Sequence, residues 1–348
     1  MANIPKQIDY KRLARRKYVL LLAGALACLV SVIIDVLVGP SNLTITETVS
    51  SIFGLPTADP LNITIVWTLR LPTAMMAIAV GAALGIAGAG MQTILNNPLA
   101  SPYTLGVSAS AGFGAALAIV VGMSVFPMFS QYMVPISAFV FAVLSCLLIY
   151  FIGKFRSLTP ETMVLAGIGL LFLFQALLAF LQYRASPEVL QTIVFWLFGS
   201  LNKSTWPKVA FVGTMFLVIF IILMRDCWKL TALKLGDEKA EGLGVHVERL
   251  RLKVFILISL LTAGAVSFVG TIGFIGLVGP HIARMLVGED QRFFLPMSAI
   301  GGALLLSVAS IGTKTLVPGA IFPIGIITAL VGVPFFFSLI LTNKKGYW

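Results

Sequence analysis

Charge is scarce in this chain. Only 11% of its 348 residues are Asp, Glu, Lys or Arg, and 59% are hydrophobic. A soluble domain carries about a quarter charged residues, so a soluble globular fold is excluded. Histidine and cysteine are scarce too, at two and three residues. Cys28, Cys146 and Cys227 are scattered, so no disulfide and no metal site is expected. No nucleophile stands beside a base, and no HExxH pattern occurs. The fragments "IGK" (152–154) and "GTKT" (312–315) lack the GxxxxGK[ST] frame of a P-loop. The chain is therefore expected to hold no catalytic residue and no cofactor, which counts against an intramembrane enzyme.

Ionisable groups are also rare within the apolar runs. A carrier driven by a proton or sodium gradient needs such groups near mid-membrane. Asp35 lies near one end of the first run and reads as solvated or capped. His281 reads as bonded to a backbone carbonyl, and His246 as solvated. An ion-coupled secondary transporter is thus the rival reading, and a poor one.

Long hydrophobic stretches are abundant instead. Each run of eighteen or more residues can cross ~30 Å of hydrocarbon as a helix. Ten spans are expected, at about 18–38, 63–94, 105–124, 132–152, 162–182, 207–224, 252–271, 273–288, 295–313 and 323–342. A β-barrel would show short alternating segments. The first run is too long for a signal-peptide core and reads as a retained span. The expected fold is all-α and polytopic, a single membrane domain over 1–348 with a tail at 1–17. A short external helix is expected near 185–206.

Basic residues orient the spans. With the N-terminus inside, five of the 24 lysines and arginines fall outside: Arg70, Arg184, Lys203, Lys208 and Lys314. The other nineteen fall inside, as the positive-inside rule demands. Both termini are then cytoplasmic. The net charge of +11 is mostly topological, and no nucleic-acid partner is expected.

Two regions join small residues to helix breaks. In "VGAALGIAGAGMQ" (80–92), Gly81, Gly85 and Gly88 recur at helical spacing, a packing face for close helix approach. "NNPLASP" (96–102) then ends the span. In "GTIGFIGLVGPHIAR" (270–284) the glycines recur every three residues. A break near Gly270–Gly273 and a short helix ending near Arg284 are expected. The two regions start on opposite sides of the membrane. This hints at an inverted repeat relating spans two to five to spans seven to ten.

Between spans six and seven lies a charged island, "LKLGDEKAEGLGVHVERLRLK" (233–253). It holds four of the thirteen acidic residues and five of the basic ones. Read as a helix, it places Leu233, Gly236, Ala240 and Leu243 on one face, with Gly244 suited to the position just past its end. A chain built for movement, without an engine of its own, needs a surface on which an engine docks.

"LGDEKAEGLGV" (235–245) resembles the cytoplasmic coupling helix of permeases in the iron-siderophore, haem and vitamin B12 ABC importer family. "LRLPTAMMAIAVGAALGIAGAGMQTILNNPLASPYTLGVSASAG" (69–112) is similar to the family's longest signature. "VLAGIG" (164–169), "FWLFGSL" (195–201), "GFIGLVGPHIAR" (273–284) and "FPIGIITALVGVPFF" (322–336) follow in family order. The resemblance implies ten spans per subunit and a pair of permease subunits, identical or related. It implies a cytoplasmic ATPase dimer at the coupling helices, residues 233–245 here. It implies an extracytoplasmic substrate-binding protein and a place among the lipids of a bacterial cytoplasmic (inner) membrane.

By the same resemblance, Leu235, Gly236, Asp237, Ala240, Leu243, Gly244 and Val245 match the ATPase-docking motif. Arg70 matches an outer-surface arginine that meets the binding protein, and Lys314 stands where another arginine is common. Thr159, Pro160 and Glu161 fall in the loop that carries the inner gate. The chain departs from the family at Thr73, Ser310 and Ile321, where basic, acidic and glutamate residues are common. The expected cargo is an iron chelate, ferric siderophore first and haem or cobalamin next.

Overall fold

The computed structural model describes residues 10–39, 41, 43–125, 130–156, 159–316 and 322–342. The tail at 1–9, Ile321, Lys344 and Lys345 lie outside them. Regular structure among the described residues is entirely helical. In chain order the helices are α1 (Tyr10–Leu37), α2 (Ile45–Phe53), α3 (Pro60–Ile65), α4 (Leu71–Ile94), α5 (Val107–Val125), α6 (Ser130–Arg156), α7 (Pro160–Arg184) and α8 (Pro187–Leu197). There follow α9 (Trp206–Arg225), α10 (Cys227–Leu233), α11 (Asp237–Gly242), α12 (Val247–Val269), α13 (Ile275–Val287), α14 (Gln291–Thr315) and α15 (Ile324–Thr342).

Among the described residues, seven helices are long and apolar enough to cross a membrane, and three shorter apolar ones are Val107–Gly122, Ile275–Val287 and Ile324–Ser338. Together they occupy the ten expected stretches. The short helix expected near 185–206 is α8, capped by Ser186 with Pro187 in its first turn.

Local chemistry sets the breaks. Between α3 and α4 the helix widens into a π-turn, Val66–Arg70, and Leu71 N–H reaches back to Val66 O. Pro72 follows at once; it lacks the N–H that a regular turn needs. At the other end of α4, Asn96 takes a positive φ of 45° just ahead of Asn97 and Pro98. The second break lies where the glycines predict it. α12 stops at Val269, and Gly270 and Phe274 adopt φ of 77° and 68°. α13 has 13 residues, a length of ~20 Å at 1.5 Å per residue. That is too short to cross alone, so the partly buried unwound stretch before it, 270–274, completes the passage.

α4 is the central rod. Every residue from 80 to 95 is buried. Three of its glycines, Gly81, Gly85 and Gly88, meet backbone, and Gly90 meets the side chains of Val254 and Ile258. A Cβ at Gly88 would lie 1.8 Å from Gly276 O, and one at Gly81 would lie 2.4 Å from Gly302 O. Only glycine permits α13 and α14 this close to α4. The packing is reciprocal. α4 lies on α14 as α12 lies on α6; α4 meets α13 as α12 meets α5; and α4 and α12 meet each other. An internal two-fold pairing of spans two to five with spans seven to ten requires this pattern.

Candidate functional site: the charged island and its anchors

The island is not one helix: it runs from the last residue of α10 through α11 into the first turns of α12. α10 ends at Leu233, and Gly236, with φ 102° in the region that L side chains rarely adopt, is the N-cap of α11. Leu233 and Ala240 therefore do not share one helical face, as the apolar spacing alone had implied. α11 closes as expected at Gly244. Gly244 N–H donates to Glu241 O at 2.8 Å, and Val245 N–H donates to Ala240 O at 3.0 Å. These two bonds form a Schellman motif, with Gly244 at the left-handed position (φ 82°).

Burial sorts the matched residues. Ala240 has no exposed surface and Val245 is buried, both within this chain. They hold the island to the bundle and are not free for a partner, contrary to the expectation for Ala240. Leu235 and Leu243 are 56% and 65% exposed. Gly242 and Gly244 beside Leu243 are exposed too. The free surface is thus two large apolar side chains, flanking a tight turn of glycines and glutamates.

Anchors tie this surface to α4. Arg251, on α12, is buried. Its Nη2 lies 2.9 Å from both carboxylate oxygens of Asp237, and its Nε donates to Ile94 O at 3.0 Å. Ile94 is the last residue of α4, where carbonyls lack helical partners. Lys234 donates to Asn96 Oδ1 at 2.8 Å and lies 3.4 Å from Glu289. Arg284 donates to Glu289 and to Gln92 Oε1, at 2.9 and 2.8 Å. Burial pushes the Lys234 ammonium below its ordinary value; Glu289 opposes the shift and Arg284 adds to it.

At the foot of the island, Asp226 accepts from Lys229 at 2.8 Å and from Lys253 at 2.5 Å. Burial alone would raise this carboxyl. The two lysine hydrogen bonds outweigh it and hold the group below its usual range.

The opposite end of the bundle corrects two further expectations. Arg70 is not an exposed cation. It is 4% exposed, and its guanidinium donates to Val36 O, Leu37 O, Ser41 O and Ser41 Oγ at 2.6–3.0 Å. It closes the C-terminus of α1, where carbonyls and the helix dipole favour a cation. Lys314 is likewise inside, 2.7 Å from Asp35 Oδ1 and bonded to Asp35 O at 2.9 Å. Ser310 donates to the same carboxylate oxygen at 3.0 Å. Asp35 is fully buried, not solvated. Both basic side chains are taken up by acceptors within this chain.

Thr159, Pro160 and Glu161 start α7. The Thr159 hydroxyl accepts from Thr162 N–H at 3.3 Å, Pro160 takes the first turn and Glu161 follows. These are the residues that a helix start selects.

Sequence reasoning did not single out Arg251. The signal was present. Val247, Leu250, Arg251, Val254, Phe255 and Ile258 fall at i, i+3, i+4, i+7, i+8 and i+11, all on the buried face of α12. A charged residue on such a face must have a dedicated partner.

Broken spans around a glycine-packed rod, with an anchored surface segment beyond the bundle, define the membrane domain of a transporter. The chain belongs to the FecCD transport family, whose pattern matches residues 27–342. It is 38% identical to an ABC transporter permease protein of Methanocaldococcus jannaschii, over 99% of each chain. It is 36% identical to the hemin transport system permease protein of Yersinia pestis, over 80% of this chain and 84% of that one. Relatives of 34–36% identity bear names for import of Fe(3+)-citrate, iron(3+)-hydroxamate, cobalamin and molybdate. A solved inward-facing structure of a metal-chelate type ABC transporter superposes with TM-score 0.82 at 34% identity, covering 92% of this chain and 98% of that one. The chain is accordingly an ABC importer permease.

Proposed function

We propose that this permease carries a ferric siderophore across a cytoplasmic membrane, with haem and cobalamin as the next candidates. The chain works as one membrane domain beside a second permease subunit. A separate cytoplasmic ATPase dimer drives it, and a binding protein delivers cargo from outside. Both termini and the island then face the cytoplasm. The observation that carries this reading is the island itself. Leu235 and Leu243 are exposed on a segment that is otherwise held rigidly to the bundle. An apolar pair beside a charged rim is a docking surface. Leu235, Gly236, Asp237, Leu243 and Gly244 lie at or beside that surface; Ala240 and Val245 support it from within.

The cargo assignment follows the relatives whose names give a substrate, among which iron compounds recur as hemin, Fe(3+)-citrate and iron(3+)-hydroxamate. Its test is ATP-driven uptake into vesicles holding the complete complex. Ferric hydroxamate, ferric citrate, haem, cobalamin and molybdate would be compared, with the binding protein present. Saturable uptake of a ferric siderophore above the others is expected. Preferred uptake of molybdate or cobalamin would reassign the cargo.

A further inference from the structure

Two independent ties run from the island to one place, the end of α4. Arg251 joins Asp237 to Ile94 O. Lys234, next to the hinge at Gly236, joins Asn96 and, through Glu289 and Arg284, Gln92. Residues 92–96 thus receive both. From Val80 to Leu95 α4 is buried without interruption, and Gly81, Gly85 and Gly88 bring it into backbone contact with α13 and α14. Such a rod cannot absorb a push by side-chain rearrangement, because close-packed interiors resist deformation.

Beside the buried contacts of Ala240 and Val245, the island is held by these polar ties. α11 has six residues and exposes most of them. Its charged tie to α12 is the pair of Asp237 with Arg251.

We propose that Asp237 and Arg251 form the rigid link that turns movement of the island into movement of α4. They are positioning residues, and the inference rests on the reading that an ATPase docks on the island. Arg251 is suited to the task as lysine is not: its planar head donates in two directions at once, to a carboxylate and to a helix-end carbonyl. Asp237 is half exposed while Arg251 is buried. Replacing Asp237 therefore loosens the link without opening the bundle.

The test uses the full complex with its ATPase in lipid vesicles. Spin labels at Lys239 and Leu99, both exposed, report the distance between island and α4 end. In the wild-type chain this distance should stay narrow and constant through ATP binding and hydrolysis. In Asp237→Ala the distribution should broaden, and in Arg251→Lys, which changes no exposed residue, it should broaden with the ATPase still bound and active. Transport of ferric hydroxamate per ATP hydrolysed should fall roughly three- to thirtyfold, the range of substitutions within a coupling network. Asp237→Glu should restore most of both signals, and Arg251→Lys should behave like Asp237→Ala. An unchanged distance distribution in Asp237→Ala would overturn the inference. So would loss of the ATPase from that variant alone, which would make Asp237 a docking contact. Failure of the docking reading is a separate result: the wild-type chain would not retain the ATPase.

Discussion

Lys314 Nζ lies 2.7 Å from Asp35 Oδ1, joining α14 to the end of α1 in a site where the carboxylate has no exposed surface. A buried pair of this kind is costly to break and cheap to replace. Lys314→Met alone leaves an unpaired carboxylate and should destabilise the chain by about 3–5 kcal/mol. Asp35→Asn with Lys314→Met should recover most of that loss. Thermal unfolding of the purified variants in detergent checks both. Equal damage in the single and double variants would show that the pair is not the stabilising unit.

Arg70 predicts a structural phenotype, not a docking one. Four acceptors around α1 and Ser41 depend on its guanidinium. Arg70→Lys keeps the charge but cannot reach them all. It should lower thermal stability by about 1–3 kcal/mol, the cost of buried acceptors left unpaired. Affinity for the binding protein should show no salt dependence assignable to residue 70. A salt-dependent loss of that affinity, with stability intact, would restore the surface reading.

Asp226 gives a pH signature. Its folded carboxyl lies below the ordinary value, so its contribution is complete above about pH 4, the unfolded range for Asp. That contribution fades as pH falls further through the folded value. Its two lysine partners are half exposed, so the effect is on the order of 1 kcal/mol or less. Asp226→Asn should be slightly less stable than wild type at pH 7 and should lose less on acidification below pH 4. Unfolding curves at stepped pH measure this. Parallel acid profiles for the two proteins would contradict it.

The spans were legible because lipid leaves a coarse mark: long apolar runs, with cations gathered on one side. The breaks were legible because glycine and proline announce them, at 270–274 and 96–98. What stayed hidden depended on contacts distant in sequence. Arg70 and Lys314 looked like outer cations, since nothing local reveals that Val36 and Asp35 wait for them. The island looked like one helix because apolar spacing does not register the φ of Gly236. α2 was overlooked although its capping box, Thr44 with Glu47, was written in the sequence. Its nine residues are too few to stand out beside spans of twenty.

With the island proposed as the seat of the ATPase, Leu243 is the residue that tests it most directly. Leu243 is 65% exposed on a turn that its neighbours fix. Leu243→Asp should therefore leave the fold intact while placing a charge in the apolar contact. Ala240→Trp makes the contrast: Ala240 has no free surface, so bulk there should disturb the permease itself, at about 1–3 kcal/mol or more. The measurement is the amount of ATPase that co-purifies with each variant, alongside gel-filtration profile and thermal stability. Leu243→Asp is predicted to remain monodisperse and as stable as wild type, yet to lose the ATPase and ATP-driven uptake. Wild-type retention of the ATPase with undiminished uptake in Leu243→Asp would contradict the account.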